Sequence, residues 1–162
     1  MQICKLAFAA ATVVGLATAQ QPAAAPKLYT SAAEVTALMA KAKAQRKDEP
    51  NIINPLLRLA PYNANLEYRA SVGPAATHVT ELEMFYVVEG SGTLVTGGKL
   101  VNEKQTNAAN LSGTAIEGGE SRKIAKGDFV MVPENTPHWF SAIDGTLVLM
   151  SFHAPRPVPA GK

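Results

Sequence analysis

The feature that most constrains this chain is the succession of short strand-like segments that begins after Pro50. Gly or Pro turns separate most of these apolar segments, and no helical period of useful length returns. The predicted strands are Leu56–Ala60, Leu66–Ser71, Glu83–Val88, Gly92–Val95, Arg122–Ile124, Phe129–Val132, His138–Ile143 and Thr146–Phe152. This pattern is typical of a sandwich, barrel or jelly roll, so we expect an all-β domain. The stretch Lys99 to Gly119, rich in Asn, Gly and Thr, is predicted to be a long loop.

Length and composition allow one globular domain and exclude several classes of protein. The chain has 162 residues, of which 47% are hydrophobic and 17% charged, so it can bury a core and is not disordered throughout. The net charge of +2 is too small for a nucleic-acid-binding surface without a local basic patch. The nearest candidate, Lys41–Lys47, is interpreted as the solvated face of a helix. We therefore expect no nucleic-acid partner.

Residues 1–19 are predicted to be a cleaved signal peptide. A nearly continuous apolar run from Leu6 to Ala17 precedes a small-x-small cleavage pattern ending at Ala19, and the run is too short to span a bilayer. We expect a secreted or periplasmic protein with no membrane anchor, whose mature chain begins at Gln20. The single cysteine, Cys4, lies in the signal segment, so the mature chain cannot form a disulfide.

The rest of the chain is predicted to contain a leader and helix at 20–50, a β-domain at 51–155 and a C-terminal tail at 156–162. The helix is expected over 31–47, because Ser31 and Glu34 form a capping-box pattern and Pro50 stops it. Its apolar stripe, which we expect to pack on the domain or on a partner subunit, consists of Val35, Leu38, Met39 and Ala42.

The most informative motif of the β-domain ends at His138. Gly127 opens a short apolar stretch, and the turn from Pro133 to Pro137 then leads into the histidine. This pattern resembles the downstream signature of the cupin superfamily, which usually carries Pro-x-Gly-x-x-His, with Asn135 at the place of the glycine. Asparagine also tolerates a left-handed backbone, so we expect the turn to be kept.

A second motif resembles the upstream cupin signature, His-x-His followed by Glu and later by Gly. If Gly90 is matched to the family's glycine, Glu83 stands at the position of the family's glutamate and His78 at that of its second histidine. The first histidine position then falls on Ala76. In the alternative alignment His78 is the first histidine and Thr80 stands at the second, but the glutamate would then fall after Glu83. In both alignments one ligand of the family is absent.

The resemblance covers about 56–153 and implies a cupin-like jelly-roll β-barrel with a metal site in its mouth, preceded here by a short N-terminal helix. It also implies a metal-dependent enzyme of the dioxygenase, isomerase or lyase type, acting on a small organic substrate. The alternatives are a non-catalytic module that binds a small ligand or a metal, and a metal-free structural barrel. Dimers are common among cupins, and the predicted helix could support a homodimer.

The ligand set His78, Glu83 and His138 suits a divalent transition metal. Two imidazoles and one carboxylate are typical of non-haem Fe(II) and also serve catalytic zinc, so Fe, Mn, Zn and Ni all remain candidates. Because His78 and Glu83 are five residues apart, they would face opposite sides of a regular strand, and a bulge or break near Thr80-Glu81 is required. Glu81 is a competing carboxylate.

The third histidine, His153, is placed by a predicted hairpin. Asp144-Gly145 is a strong two-residue turn signal, and a hairpin closed on it pairs His138 with Ser151. His153, two residues beyond, would then face the same side as His138 and approach the same metal. Three interpretations stay open: a metal ligand, a residue supporting the ligands, or a histidine of the rim or core.

The remaining candidate site residues belong to no recognised motif of metal ligands. Phe85, Phe140 and Ser151 are predicted to line a pocket beside the metal site. One of Tyr68 and Arg69 must point inward, and we expect Arg69 to face solvent. In the predicted loop, Asn110-Leu111-Ser112 is a glycosylation sequon, which matters only in a eukaryotic host.

Overall fold

The computed structural model describes residues 25–45 and 49–156, so the predicted signal peptide and nearly all of the predicted tail lie outside the described residues. The elements in that part of the chain are α1 (Ala32–Gln45), β1 (Asn51–Leu59), β2 (Tyr62–Arg69), β3 (Ala75–His78), β4 (Glu81–Thr96), β5 (Lys99–Val101), β6 (Lys104–Asn107), β7 (Asn110–Gly113), β8 (Ala115–Glu117), β9 (Glu120–Ala125), β10 (Phe129–Val132) and β11 (His138–Pro155). The predicted all-β domain with one N-terminal helix is confirmed. None of the described helical residues forms a span that could cross a membrane.

Helix α1 packs on the outside of the sheet, as its apolar stripe predicts. The Ser31 hydroxyl caps the helix by accepting a hydrogen bond from the Glu34 backbone N–H at 3.2 Å. The buried cluster between helix and sheet contains Ala42, Leu56, Leu66, Tyr68 and Val148, with Val35, Leu38 and Met39 packed against it. The described helix reaches Gln45, and the predicted end at 47 lies outside the described residues.

Two long antiparallel strands, β4 and β11, form the centre of a nine-stranded sheet. Strand β4 also pairs with β9 and β10, and β11 also pairs with β2 and β3. The hydrogen-bonded path runs β1-β2-β11-β3-β7-β6, and a separate pair joins β5 to β8. Each of β4 and β11 pairs with more than two strands. The two ends of each strand therefore lie in different parts of the barrel wall.

The predicted hairpin at Asp144-Gly145 is wrong. Strand β11 continues through this dipeptide, with Ile143 opposite Gly92 and Leu147 opposite Gly90, so the three intervening residues bulge opposite Ser91 alone. The reason is that both flanks of the dipeptide find their hydrogen-bond partners on the same strand, β4, and therefore do not pair with each other. His138 consequently does not face Ser151; it lies opposite Ala76 and Thr96.

The predicted loop over Lys99 to Gly119 is also wrong, since four short strands, β5 to β8, occupy it. Strand β7 pairs with β3 along its whole length and thereby joins this region to the first motif. Only Gly113 is buried among the residues of these four strands, so they lack the apolar alternation on which a strand prediction depends.

The core of the barrel is apolar and lies between its walls. Its members are Phe85, Val87, Leu94, Ile124, Val130, Val132, Phe140, Leu147 and Leu149. Along β10 the buried Val130 and Val132 alternate with the exposed Phe129 and Met131, as expected for a strand with one face inward. This core packs directly against one of the three histidines, because the ring of Phe85 lies 6.0 Å from that of His138.

Candidate metal centre

His78 and Glu83 meet because the chain breaks between them. Strand β3 ends at His78 and β4 begins at Glu81, which removes the opposite facing that a continuous strand would impose. The His78 Nε2 atom lies 3.2 Å from Glu83 Oε2. The break consists of Val79 and Thr80, next to the Thr80-Glu81 position near which the five-residue spacing required one.

His138 enters the same cluster through the turn that precedes β11. Asn135 has a φ of 55°, the left-handed conformation that the family's glycine position suggested. The Asn135 backbone N–H donates a 2.7 Å hydrogen bond to the His78 carbonyl, which ties the turn to the end of β3. His138 Nε2 then lies 3.1 Å from Glu83 Oε2.

His153 reaches the cluster from the far end of β11, where it is the cross-strand partner of Glu83. Its Nε2 lies 3.2 Å from Glu83 Oε1. Its other ring nitrogen, Nδ1, lies 3.4 Å from Glu81 Oε2. Glu81, the competing carboxylate of the sequence, thus contacts the outer side of His153.

The three imidazoles share one orientation, with Nε2 toward Glu83 and Nδ1 away from it. Each Nδ1 has an oxygen nearby: Asn110 Oδ1 at 2.5 Å for His78, the Thr136 carbonyl at 3.3 Å for His138, and the Glu81 carboxylate for His153. One donor atom from each of His78, Glu83 and His153 lies within 4.8 Å of the others, and His138 adjoins this group through Glu83. Such outer contacts fix which nitrogen of an imidazole is free to bind a metal.

The cluster is buried and electrostatically coupled. The side chain of Glu83 is 4% exposed, against 20% for His78. Burial alone would raise the pKa of the Glu83 carboxyl, but its contacts with His138, His153 and His78 outweigh burial and hold that pKa well below its usual range. Burial would likewise lower the pKa values of His78 and His153, but the Glu83 carboxylate outweighs it and both pKa values are raised.

The residues present fit a divalent transition metal. Glu83 Oε2 is buried and forms no hydrogen bond of good geometry, although two imidazole nitrogens lie within 3.2 Å of it. Ring nitrogens that crowd a carboxylate oxygen without aiming an N–H at it are arranged like ligands around a common centre. Neutral imidazole nitrogens with one carboxylate are also a donor set that zinc, iron, nickel and manganese accept.

The predicted pocket residues lie behind the cluster in the packed core. Phe85 is fully buried and Phe140 is 3% exposed, and their ring centroids are 5.3 Å apart. Ser151 is 1% exposed and lies opposite Phe85 and Asn65, with a hydroxyl that has no hydrogen-bond partner. Ser151 also lines a groove of about 480 Å³, but neither this groove nor a second one of about 790 Å³ is lined by any of the four candidate ligands.

The expectation that Arg69 faces solvent is wrong. Its side chain is 17% exposed, and its guanidinium lies 4.4 Å from the centroid of the Phe140 ring. It also donates two hydrogen bonds to the buried Glu67 carboxylate, at 2.5 and 3.1 Å. Tyr68 is the neighbour that points outward from the barrel, into the cluster beneath α1.

Sequence reasoning missed Asn110 as part of the site. It lies opposite His78 in the β3–β7 register, within the segment that was predicted to be a loop. The only sequence pattern at this position is the sequon, which indicates glycosylation and gives no indication of a contact with a metal ligand. The residue at the missing histidine position, Ala76, lies opposite His138, two residues from His78 on the same face of β3.

The class of this protein follows from its fold and its site: it is a small antiparallel β-barrel with a cluster of histidines and one glutamate inside. The family model described as Cupin matches residues 44–157, and the chain belongs to the cupin family. The family expectation drawn from the two motifs is thereby confirmed.

Solved structures agree with this fold. HppE in its Fe(II) form is 18% identical with a TM-score of 0.51, and the match covers 67% of this chain and 53% of the HppE chain. TT1209 from Thermus thermophilus is 17% identical with a TM-score of 0.51, and the match covers 73% of this chain and 95% of that one. The chain therefore spans about half the length of HppE. No curated protein matches the sequence significantly.

Proposed function

We propose that this cupin binds one divalent transition metal through His78, Glu83, His138 and His153. The observation that carries the proposal is the shared orientation of the three imidazoles, each with Nε2 within 3.2 Å of the Glu83 carboxylate. A cluster serving only as ion pairs would not require all three rings to present the same nitrogen. The ligand set then contains three histidines and one glutamate, with His153 in place of the histidine absent at Ala76.

Iron, manganese, zinc and nickel are the proposed metals. Imidazole suits all four, and affinity at such a site is expected to increase from Mn(II) through Fe(II) to Ni(II). Support for iron comes from HppE, whose similar structure is that of an Fe(II) form. The ligand set alone does not choose among the four, so availability in the host decides which metal is bound.

The activity we propose is metal-dependent chemistry on a small organic molecule, of the dioxygenase, isomerase or lyase type, in a secreted or periplasmic protein. A bound metal would supply Lewis acidity. The chain itself contributes an apolar side to the site. Phe85 and Phe140 pack behind His138 and exclude water from that side. At 20% exposure, His78 is the most accessible of the four candidate ligands, so a small molecule would approach on its side.

A non-catalytic binding module is the second candidate, and the number of protein ligands favours it if the metal is zinc. Catalytic zinc sites keep a position open for water or substrate, whereas zinc sites with four protein ligands are closed. The relaxation of water protons by Mn(II)-loaded protein separates the two candidates. A rapidly exchanging water on the metal supports an enzyme, and its absence supports a binding module.

The metal proposal is tested by elemental analysis of mature protein purified without chelators, followed by calorimetric titration with Mn(II), Fe(II), Ni(II) and Zn(II). We expect about one metal per chain, and an affinity at least about 100-fold lower for Glu83→Gln because a central ligand is neutralised. Glu117→Gln, which changes an exposed glutamate of β8, is the matched control and should bind like wild type. If wild type binds none of the four metals, or if Glu83→Gln binds them as tightly as wild type, the proposal is wrong.

A further inference from the structure

A side-chain contact between two short strands connects His78 to a residue outside the candidate ligand set. Asn110 lies directly opposite His78 where β7 pairs with β3. Its Oδ1 atom is 2.5 Å from His78 Nδ1, the ring nitrogen that faces away from Glu83. The contact is among the shortest polar contacts made by a ligand candidate, and the Asn110 residue is itself half-buried.

The orientation of the Asn110 amide follows from its second partner, Asn107. The Asn107 Oδ1 atom accepts a 2.9 Å hydrogen bond from the Ala109 backbone N–H, which identifies it as an oxygen. The same atom lies 2.9 Å from the Asn110 amide nitrogen, so that nitrogen must be the donor. The oxygen of Asn110 therefore faces His78, and His78 Nδ1 must carry the hydrogen.

We propose that Asn110 is a positioning residue, which holds His78 in the tautomer that presents an unprotonated Nε2 to the metal. This inference rests on the metal site proposed above. A neutral imidazole has one N–H and one lone pair, so a fixed acceptor at Nδ1 leaves the lone pair on Nε2. Asn107 acts one step further out, because it prevents the Asn110 amide from turning over.

The positioning role is an alternative to glycosylation as the function of Asn110 in the Asn110-Leu111-Ser112 sequon. The amide nitrogen to which a glycan would be attached already donates to Asn107, and the amide oxygen accepts from His78. Ser112→Ala removes the sequon while it leaves both of these contacts in place, so it separates the positioning role from any glycosylation. It is also a matched control for a substitution in β7.

Two measurements on Asn110→Ala, Asn110→Asp and Ser112→Ala test the proposal. In calorimetric titration with Zn(II), we expect Asn110→Ala to bind about 10–100-fold more weakly than wild type, the usual effect of losing an outer partner of a metal ligand. Asn110→Asp keeps an acceptor oxygen toward His78 but replaces the donor to Asn107 by a second acceptor, so it should restore most, and not all, of the binding lost in Asn110→Ala. Ser112→Ala should bind like wild type.

The second measurement is the imidazole nitrogen chemical shifts of His78 in metal-free protein, recorded at alkaline pH where the ring is neutral. Wild type, Asn110→Asp and Ser112→Ala should show the Nδ1–H tautomer, and Asn110→Ala should show a mixture of tautomers. If Asn110 only stabilised the fold, replacing it would leave the tautomer of His78 unchanged. If Asn110→Ala does not fold, Asn110→Val, which favours a strand and carries no hydrogen-bond acceptor, replaces it.

The outcomes distinguish this proposal from the metal proposal. If wild type binds metal and Asn110→Ala binds it equally well, the positioning role is wrong and the metal site stands. If wild type binds no metal, the metal proposal fails, and the His78 tautomer still decides whether Asn110 orients the ring. An unchanged tautomer in Asn110→Ala overturns the positioning role whatever the metal data show.

Discussion

His138 and His153 lie at opposite ends of one strand, β11, yet both place Nε2 within 3.2 Å of the Glu83 carboxylate. Fifteen extended residues would separate them by about 50 Å at the usual rise of a strand. The two rings instead pack against the same ring, that of His78, at centroid distances of 5.3 and 5.0 Å. Strand β11 therefore curls through the barrel wall, and the bulge at Asp144-Gly145 lies along that curl.

Removing either of these histidines is expected to weaken metal binding strongly. His153→Ala should lower the affinity for Zn(II) and Ni(II) by more than about 100-fold, beyond the 10–100-fold expected for a supporting residue. His138→Ala should have an effect of similar size, because both rings contact the same carboxylate. Calorimetry measures both.

The chain has no fourth histidine, so Gln105→Ala, at an exposed position of β6, serves as the control for these variants. A loss of only about 10–100-fold in His153→Ala would make His153 a supporting residue and not a ligand, and a smaller loss would place it outside the site.

Metal affinity is expected to fall as the pH is lowered. Burial lowers the pKa values of His78 and His153, but the Glu83 carboxylate raises them further, so that both lie above the ordinary value of 6.5. Protons thus compete with the metal already at pH values above 6.5, while Glu83, with its lowered pKa, stays ionised throughout. Zn(II) titrations from pH 8.5 down to pH 5.5 should show a steady loss of affinity. A pH-independent affinity would contradict histidine ligation.

The stability of the metal-free protein should change with pH in the opposite sense. Raised histidine pKa values stabilise the fold fully below the unfolded value of about 6.5, and this contribution is lost as the pH rises through the folded values. The lowered pKa of Glu83 contributes above its ordinary value of 4.5 and is lost only in stronger acid. Chemical denaturation with a chelator present should therefore give a lower free energy of unfolding at pH 8.5 than at pH 6. His78→Gln should reduce this difference.

Gly90→Ala is expected to disrupt the bulge. A Cβ atom at Gly90 would lie 1.9 Å from the Thr146 carbonyl oxygen, and the φ of 82° is unfavourable for other residues. Gly97→Ala is the matched control, because Gly97 has a similar φ of 76° but no atom near the position of a Cβ. Both changes should cost about 1–2 kcal/mol from φ alone. In thermal unfolding Gly90→Ala should lose several degrees more than Gly97→Ala, and an equal loss would mean that the backbone contact is unimportant.

The inward-facing Arg69 is expected to matter for stability. Arg69→Leu leaves the buried Glu67 carboxylate without its ion-pair partner, which should cost about 3 kcal/mol in the free energy of unfolding. Arg122→Leu breaks the exposed pair with Glu120 and should have little effect. Urea denaturation of both variants measures the difference. Equal small losses would show that the buried pair contributes no more to stability than the exposed one.

Several features of this protein were determined by local sequence. The Ser31 cap with its apolar stripe predicted α1, and the proline-rich turn with Asn135 predicted the left-handed residue before His138. The five-residue spacing of His78 and Glu83 required the break that separates β3 from β4. In each case the cause lies within a few residues of the feature, in a hydrogen bond, a backbone preference or the alternation of a strand.

Other features were decided only by tertiary structure. Asp144-Gly145 has the local chemistry of a hairpin, but the pairing of both its flanks with β4 overrides that preference. Arg69 turns inward because Glu67 and the Phe140 ring, which is distant in sequence, surround its guanidinium. Asn110 meets His78 only because β7 pairs with β3 across 32 residues of sequence. Pairings between distant segments carry no local pattern of charge or hydrophobicity, so the contacts that they create emerge only when the strands are assembled.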